Sequence, residues 1–212
     1  MLEIRQRGRS RFLSGSMPFG RLGTIRNSGR VRKELIEPGA FDFSIERATQ
    51  AVEDLVRVEG LDSPDPRVLA AAQAEASNAN INVLVGHSFS QPLGDVASGT
   101  ATVTATREAL QFEVPIPDNP PSWFDDAVRA VDTRRMINIS PGFFMRPGGP
   151  GVGARVEMRD GEAVRVIRDA ILVEVSLVTR SVYQGAEIEI EHRHIGVQEA
   201  CSYRLKRRLI WL

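Results

Sequence analysis

The chain has 212 residues, of which 42% are hydrophobic, enough to bury one core, and this favours a single domain. No apolar run approaches the roughly 20 residues of a membrane helix. The 27 basic and 27 acidic residues balance, so no global charge attracts nucleic acid. The single cysteine, Cys201, excludes an intramolecular disulfide and is typical of a reducing compartment.

The front half of the sequence predicts one strand followed by two helices. The stretch ELIEPGAF (34–41) predicts the strand. Ser44 is the expected N-cap of the first helix, because its hydroxyl can accept from a free backbone N–H. Asp65 and Pro66 predict the cap and the first residue of the second helix. Both helices precede the apolar run INVLVGH (81–87).

The second half predicts mainly strands. TATVTAT (100–106) and ALQFEV (109–114) alternate between apolar and polar residues and are separated by a tight gap, which predicts an antiparallel hairpin. Ser122 is the expected cap of a third helix in PPSWFDDAVRAV. Further strands are expected in RMINISPGFF, AVRVIRDAILVEVSLV and AEIEIEHRH. Because these short strands do not alternate with helices, the pattern favours a β-barrel or sandwich decorated by helices.

His87 ends an apolar run and is one of only three histidines. Imidazole is the usual general base near neutral pH, so this residue is a candidate for proton transfer. A histidine at a strand end is also commonly a structural residue bonded to a nearby carbonyl. From this residue alone, both interpretations stay open.

Ser140 follows an alternating strand and precedes Pro141 and Gly142. This order predicts a sharp chain reversal that exposes the hydroxyl, as a nucleophile requires. An ordinary serine that opens a turn is the alternative interpretation.

Glu174 lies within the apolar strand ILVEVSLV. The strand period of two predicts that four residues share one side, namely Leu172, Glu174, Ser176 and Val178. A carboxylate in this setting either lies on a solvated face or is buried and paired, because burying it unpaired is costly. In the second case it could orient an imidazole, as the third member of a nucleophile–base–acid set.

Two other groups of residues carry less weight. His192 and His194 share a strand face that could hold a metal, but no third ligand is near them in sequence. Cys201 lies in the charged stretch EACSYRLKRR, which predicts an exposed tail. We therefore expect neither a metal nor a cofactor.

The order histidine, serine, glutamate differs from the chain orders of chymotrypsin, subtilisin and the α/β-hydrolases. It occurs together with four stretches in the order GRVRKELIEPGAF, INVLVGHSFSQPLG, INISPGFF and RVIRDAILVEVSLVTRSVYQGAEI. In these motifs the chain resembles the prohead (procapsid maturation) serine proteases of tailed phages and prophages, which are grouped with the herpesvirus assemblins.

The resemblance implies a fold and a site. The fold would be mainly β with peripheral helices (α+β), built on a closed β-barrel like that of the herpesvirus proteases. His87 and Ser140 map onto the catalytic pair of the family, with Glu174 as the third member. By analogy, main-chain N–H groups near Thr179 and Arg180 would form the oxyanion hole. Residues 1–195 would be the protease domain, with a helical insertion at 47–80, followed by a basic C-terminal tail at 196–212.

The resemblance also implies a role and partners. The chain would be an endopeptidase that cleaves the major capsid protein, its scaffolding segment and itself, inside the immature procapsid in the host bacterial cytoplasm. A homo-oligomer would fit self-cleavage, and no membrane or specific nucleic acid is expected. Two alternatives remain: a non-catalytic capsid-assembly scaffold protein that keeps the protease fold, and a β-barrel binding module.

Overall fold

The computed structural model describes residues 9–27, 30–147 and 153–194. These residues form a mainly β structure with three helices, which confirms the predicted α+β class. The strands are β1 (Arg9–Pro18), β2 (Leu22–Asn27), β3 (Arg30–Ile36), β4 (Asn82–Val85), β5 (Ser88–Asp95), β6 (Thr102–Ala105), β7 (Ala109–Pro115), β8 (Asn138–Met145), β9 (Ala154–Arg159), β10 (Glu162–Ile167), β11 (Ala170–Val178) and β12 (Glu187–His194). The helices are α1 (Asp42–Glu59), α2 (Pro66–Asn78) and α3 (Ser122–Asp132).

The strands form three sheets of four strands each. Sheet A has the order β12-β1-β7-β6, sheet B has β2-β3-β10-β9, and sheet C has β5-β4-β11-β8. The pairs β3–β10 and β4–β11 are parallel, and the other pairs are antiparallel. The prediction of a closed barrel was wrong for the described residues, because each sheet ends in two edge strands that do not pair with each other.

The main core is one apolar cluster shared by all three sheets and by helices α1 and α3. Leu13 and Leu110 of sheet A, Val83 and Leu177 of sheet C, and Phe124 of α3 are among its buried members. Each sheet contributes alternate residues to this cluster, as the two-residue period of strands requires. The other face of sheet C is therefore available to polar side chains.

The helix starts follow the predictions only in part. The Asp65 carboxylate accepts a backbone N–H at 2.7 Å and caps α2, as predicted. Ser44 does not cap α1, since it lies inside the first turn and donates to the Phe41 carbonyl at 2.9 Å. Ser122 is the first residue of α3 and makes no capping bond.

The predicted hairpin forms between β6 and β7, which pair in antiparallel register. Over the described ranges, no helix is both long and apolar enough to cross a membrane. The basic tail at 196–212 lies outside the described residues. The domain boundary at 195 and the insertion at 47–80 stay predictions.

Candidate active site

The candidate site lies on the face of sheet C that points away from the main core. Along β11, Val175 and Leu177 belong to the core cluster, and Glu174 and Ser176 alternate with them on the other face. Leu172 was predicted to share the side of Glu174 but packs in the core. A β-bulge between Leu172 and Glu174 explains this difference, because one extra residue reverses the alternation of the strand.

Ser140 lies inside β8, an edge strand of sheet C that pairs with β11. It stands directly opposite Ser176, so the two side chains share the outer face with Cβ atoms about 5 Å apart. The predicted chain reversal and the predicted exposure were both wrong, since Pro141 continues the strand and Ser140 is only 6% exposed. An edge strand tolerates proline because one side has no ladder to join. The Ser140 hydroxyl forms no hydrogen bond with the part of the chain that the structure describes, so its proton is free for transfer.

His87 lies in the two-residue turn between β4 and β5. Val85 pairs with Ser88, and the two residues between them, Gly86 and His87, have φ of 60° and 63°. Positive φ at both central positions is the conformation of a type I′ hairpin turn. Glycine adopts it freely, but a side chain at the second position carries a cost that is typical of functional sites. The His87 N–H donates to the Ser176 hydroxyl oxygen at 3.0 Å, which fixes the turn to β11.

The imidazole of His87 is paired with the carboxylate of Glu174. His87 Nδ1 lies 2.7 Å from Glu174 Oε1, and Ser176 donates its hydroxyl proton to Glu174 Oε2 at 2.5 Å. The Glu174 side chain is 6% exposed, and the His87 side chain is 48% exposed. Both carboxylate oxygens therefore have a donor, which offsets the cost of burying the charge. Because a carboxylate only accepts, Nδ1 carries the proton and Nε2 is the nitrogen that can act as a base.

Gly142 makes room for this pair. It stands opposite Glu174 across the β8–β11 ladder. A methyl group built on Gly142 would lie 2.7 Å from Cδ and 2.9 Å from Cγ of Glu174, and closer still to Oε1. Because Gly142 has no side chain, the Glu174 side chain can lie against β8 and still reach His87. Sequence reasoning had given this glycine to a turn and missed its contact with the carboxylate.

The segment after β11, which contains Thr179 and Arg180, lies beside the start of β8. The Asn138 side chain donates to the Thr179 carbonyl at 3.3 Å, and the Ser181 hydroxyl donates to the Ile139 carbonyl at 2.9 Å. Both bonds join the segment to the residues that immediately precede the serine on β8. Its backbone is therefore held next to the strand that carries the candidate nucleophile.

A buried polar cluster fixes the same segment to sheet B. Tyr183 donates its hydroxyl to Glu34 Oε1 at 2.8 Å, and Arg165 donates to Glu34 Oε2 at 3.1 Å. Burial, followed by the neighbouring negative charge of Glu34, raises the pKa of Tyr183. The phenol therefore keeps its proton and remains a donor to the carboxylate. This contact limits the movement of the segment relative to β8.

Both histidines set aside as weaker candidates lie on another sheet. His192 and His194 are on β12 in sheet A, where they pair with Arg11 and Arg9 of β1. Cys201 lies outside the described residues. The structure thus brings together His87, Glu174 and the strand that carries Ser140, and it adds Ser176 and Gly142 to them.

The comparison with protein families identifies a match. A family model described as caudovirus prohead serine protease covers residues 66–199, more than half of the chain. The matched segment includes His87, Ser140 and Glu174. No curated protein and no solved structure matches the chain. The relationship to the herpesvirus assemblins stays a prediction, whereas the chain itself belongs to the caudovirus prohead serine proteases.

Proposed function

We propose that this chain is an endopeptidase that uses Ser140, His87 and Glu174 to hydrolyse peptide bonds through an acyl-enzyme. Its family consists of serine proteases of phage capsid maturation. The assignment of these residues depends on the 2.7 Å contact between His87 Nδ1 and Glu174 Oε1. This contact lies on the outer face of sheet C, and Ser140 is on the same face. An imidazole oriented by a buried carboxylate beside a strand serine is the arrangement that activates a hydroxyl nucleophile.

The proposed reaction follows from the free nitrogen of the imidazole. Ser140 Oγ attacks the carbonyl carbon of the scissile bond while His87 Nε2 takes the hydroxyl proton. Glu174 stabilises the imidazolium that results, and the proton then passes to the leaving amine. Water activated by the same nitrogen cleaves the ester and frees Ser140. Within the described residues no hydrogen bond joins His87 to the Ser140 hydroxyl. Catalytic hydrogen bonds of this kind often form only when substrate is bound.

Backbone donors complete the proposed site. The N–H groups near Thr179 and Arg180 are the candidates for the oxyanion hole, since their segment is bonded to Asn138 and Ile139 at the start of β8. Donors fixed before the reaction stabilise the developing negative charge without a cost of reorganisation. The cluster around Tyr183 supports this role by holding the segment in place.

The proposed substrates are the major capsid protein with its scaffolding segment, and the protease itself. The reaction would take place inside the immature procapsid, in the cytoplasm of the host bacterium, and copies of the chain would act on one another. The family match supports this assignment, because it names proteases of the prohead.

Co-expression with the major capsid protein of the same phage tests the function. The wild-type chain should shorten the capsid protein and itself, and mass spectrometry of the products would locate the cleaved bonds. The Ser140→Ala chain is the control for host proteases and should leave both proteins at full length. Intact capsid protein that copurifies with an intact wild-type chain would instead support a non-catalytic scaffold protein.

Gly142→Ala should reduce kcat by about 100-fold, the scale of a misplacement of about 1 Å in an active site. The new methyl group would collide with the Glu174 carboxylate, which would have to leave His87. The protein should still fold, since the end of one side chain can move, and steady-state cleavage together with thermal unfolding would measure both effects.

A double variant tests the cause of this loss. In a Glu174→Ala background the collision is absent, so adding Gly142→Ala should change kcat by no more than about threefold, as expected when two mutations act through one contact. A full additional 100-fold loss in that background would show that Gly142 acts through something other than the carboxylate.

A further inference from the structure

Ser176 lies at the centre of the site and is 0% exposed. Its hydroxyl oxygen accepts the backbone N–H of His87 at 3.0 Å, and its hydroxyl proton goes to Glu174 Oε2 at 2.5 Å. It also pairs across the sheet with Ser140. One side chain thus contacts the backbone of the base and the carboxylate that orients the base, and it neighbours the nucleophile.

The direction of both hydrogen bonds is fixed by chemistry. A backbone N–H can only donate, and an ionised carboxylate can only accept. A hydroxyl, which has one proton and two lone pairs, satisfies both groups at the same time. Alanine satisfies neither, and it would leave the His87 N–H and Glu174 Oε2 without these partners.

We infer that Ser176 is a positioning residue that couples the turn of His87 to the carboxylate of Glu174, and so aims the imidazole at Ser140. This inference rests on the proposed function. The turn needs such support, because His87 has a left-handed backbone and a half-exposed ring that little packing can hold. Glu174 needs it as well, because a carboxylate held at one oxygen alone can rotate away from the ring.

Ser176 does not replace Ser140 as the nucleophile in this arrangement. Both serines are buried, but the Ser176 proton is already directed to Glu174, whereas the Ser140 hydroxyl makes no such bond within the described residues. Attack by Ser176 would break the bond that holds the carboxylate in place. Its contribution to the reaction therefore passes through His87 and Glu174.

The test uses Ser176→Ala in the full chain and two readouts. The first is kcat and KM for cleavage of the capsid protein. The second is the rate at which a small fluorophosphonate labels Ser140, a step in which the Oγ–P bond forms, the P–F bond breaks and the hydroxyl proton passes to His87. Both kcat and the labelling rate should fall by about 10- to 100-fold, the factor expected from the loss of one hydrogen bond to a charged group. KM should stay within about threefold of the wild-type value.

Ser44→Ala is the matched control. Ser44 is also buried, donates to the Phe41 carbonyl at 2.9 Å and accepts the Leu172 N–H at 3.1 Å, but it contacts neither His87 nor Glu174. It should lose thermal stability and still label at the wild-type rate. If Ser176→Ala labels as fast as Ser44→Ala, the positioning role is wrong.

Two further measurements separate the possible failures. Should Ser176→Ala not fold, Ser176→Cys keeps the shape and offers a weaker donor, so it should label more slowly than wild type; a wild-type rate would overturn the inference. The wild-type chain must itself be labelled at Ser140. If the wild-type chain is not labelled at Ser140, both the proposed function and this inference are wrong. If the wild-type chain is labelled and Ser176→Ala labels at the same rate, only this inference is wrong.

Discussion

Ser140→Ala is expected to lower kcat by about a million-fold, the scale seen when a serine protease loses its nucleophile. No acyl-enzyme can form without the hydroxyl, and the oxyanion donors alone supply only a small part of the acceleration. The fold should be kept, because that hydroxyl makes no hydrogen bond within the described ranges and alanine fits the same strand position. Cleavage of the purified capsid protein and thermal unfolding would measure the two effects.

Ser90→Ala is a suitable control for this experiment. Ser90 is an exposed serine on β5, close in sequence to His87, and its hydroxyl shares a hydrogen bond with that of Ser88 at 2.8 Å. It should cleave at the wild-type rate. A folded Ser140→Ala protein that keeps more than about one hundredth of wild-type activity would contradict the assignment of Ser140 as the nucleophile, because loss of a nucleophile costs far more. Another residue would then be the nucleophile.

The candidate site residues could be singled out from the sequence because their residue types are rare in their settings. A histidine at the end of an apolar run and a glutamate within an apolar strand both suggest a role, and the structure places them in contact. The pairing itself could not be predicted from local patterns. It depends on the register of β4 and β8 against β11, which joins residues far apart in the chain.

Gly142 and Ser176 were missed for the same reason. A glycine after proline is a usual turn signal, and only the register of β8 shows that it faces Glu174. Ser176 resembles any polar residue in an alternating strand, and its partner His87 approaches from a separate turn. Neither residue carries a local signal of its contact.

The errors in the fold also have physical causes. The side assigned to Leu172 was wrong because strict alternation cannot anticipate a β-bulge. The closed barrel was wrong because alternating strands look the same in a barrel and in separate sheets, and closure depends on whether the edge strands pair. The chain reversal at Pro141 was wrong because proline is also compatible with an edge strand such as β8.

Glu174→Gln is the second change with a very large expected effect, a loss in kcat of up to about ten-thousand-fold, as for the equivalent acid in other serine proteases. The amide keeps the volume of the side chain but loses the charge that stabilises the imidazolium. It also cannot satisfy both neighbours. In one orientation the amide oxygen points towards His87, so the NH2 group faces the Ser176 hydroxyl, which can no longer donate its proton there. In the other orientation the NH2 group donates to His87 Nδ1, so the ring carries its proton on Nε2, which is then no longer a base.

The measurement is kcat for cleavage of the capsid protein, with KM and thermal unfolding followed in parallel. Glu37→Gln is the control, because Glu37 is a partly buried glutamate paired with Arg155 and Arg168, and it contacts none of the site residues. It should keep wild-type kcat. A Glu174→Gln protein that stays within a few-fold of wild type would show that the 2.7 Å contact with His87 does not orient the base, and the residue that does so would have to be found elsewhere. A large loss confined to Glu174→Gln, with KM unchanged, is the result expected of a carboxylate that acts on the transition state through the imidazole.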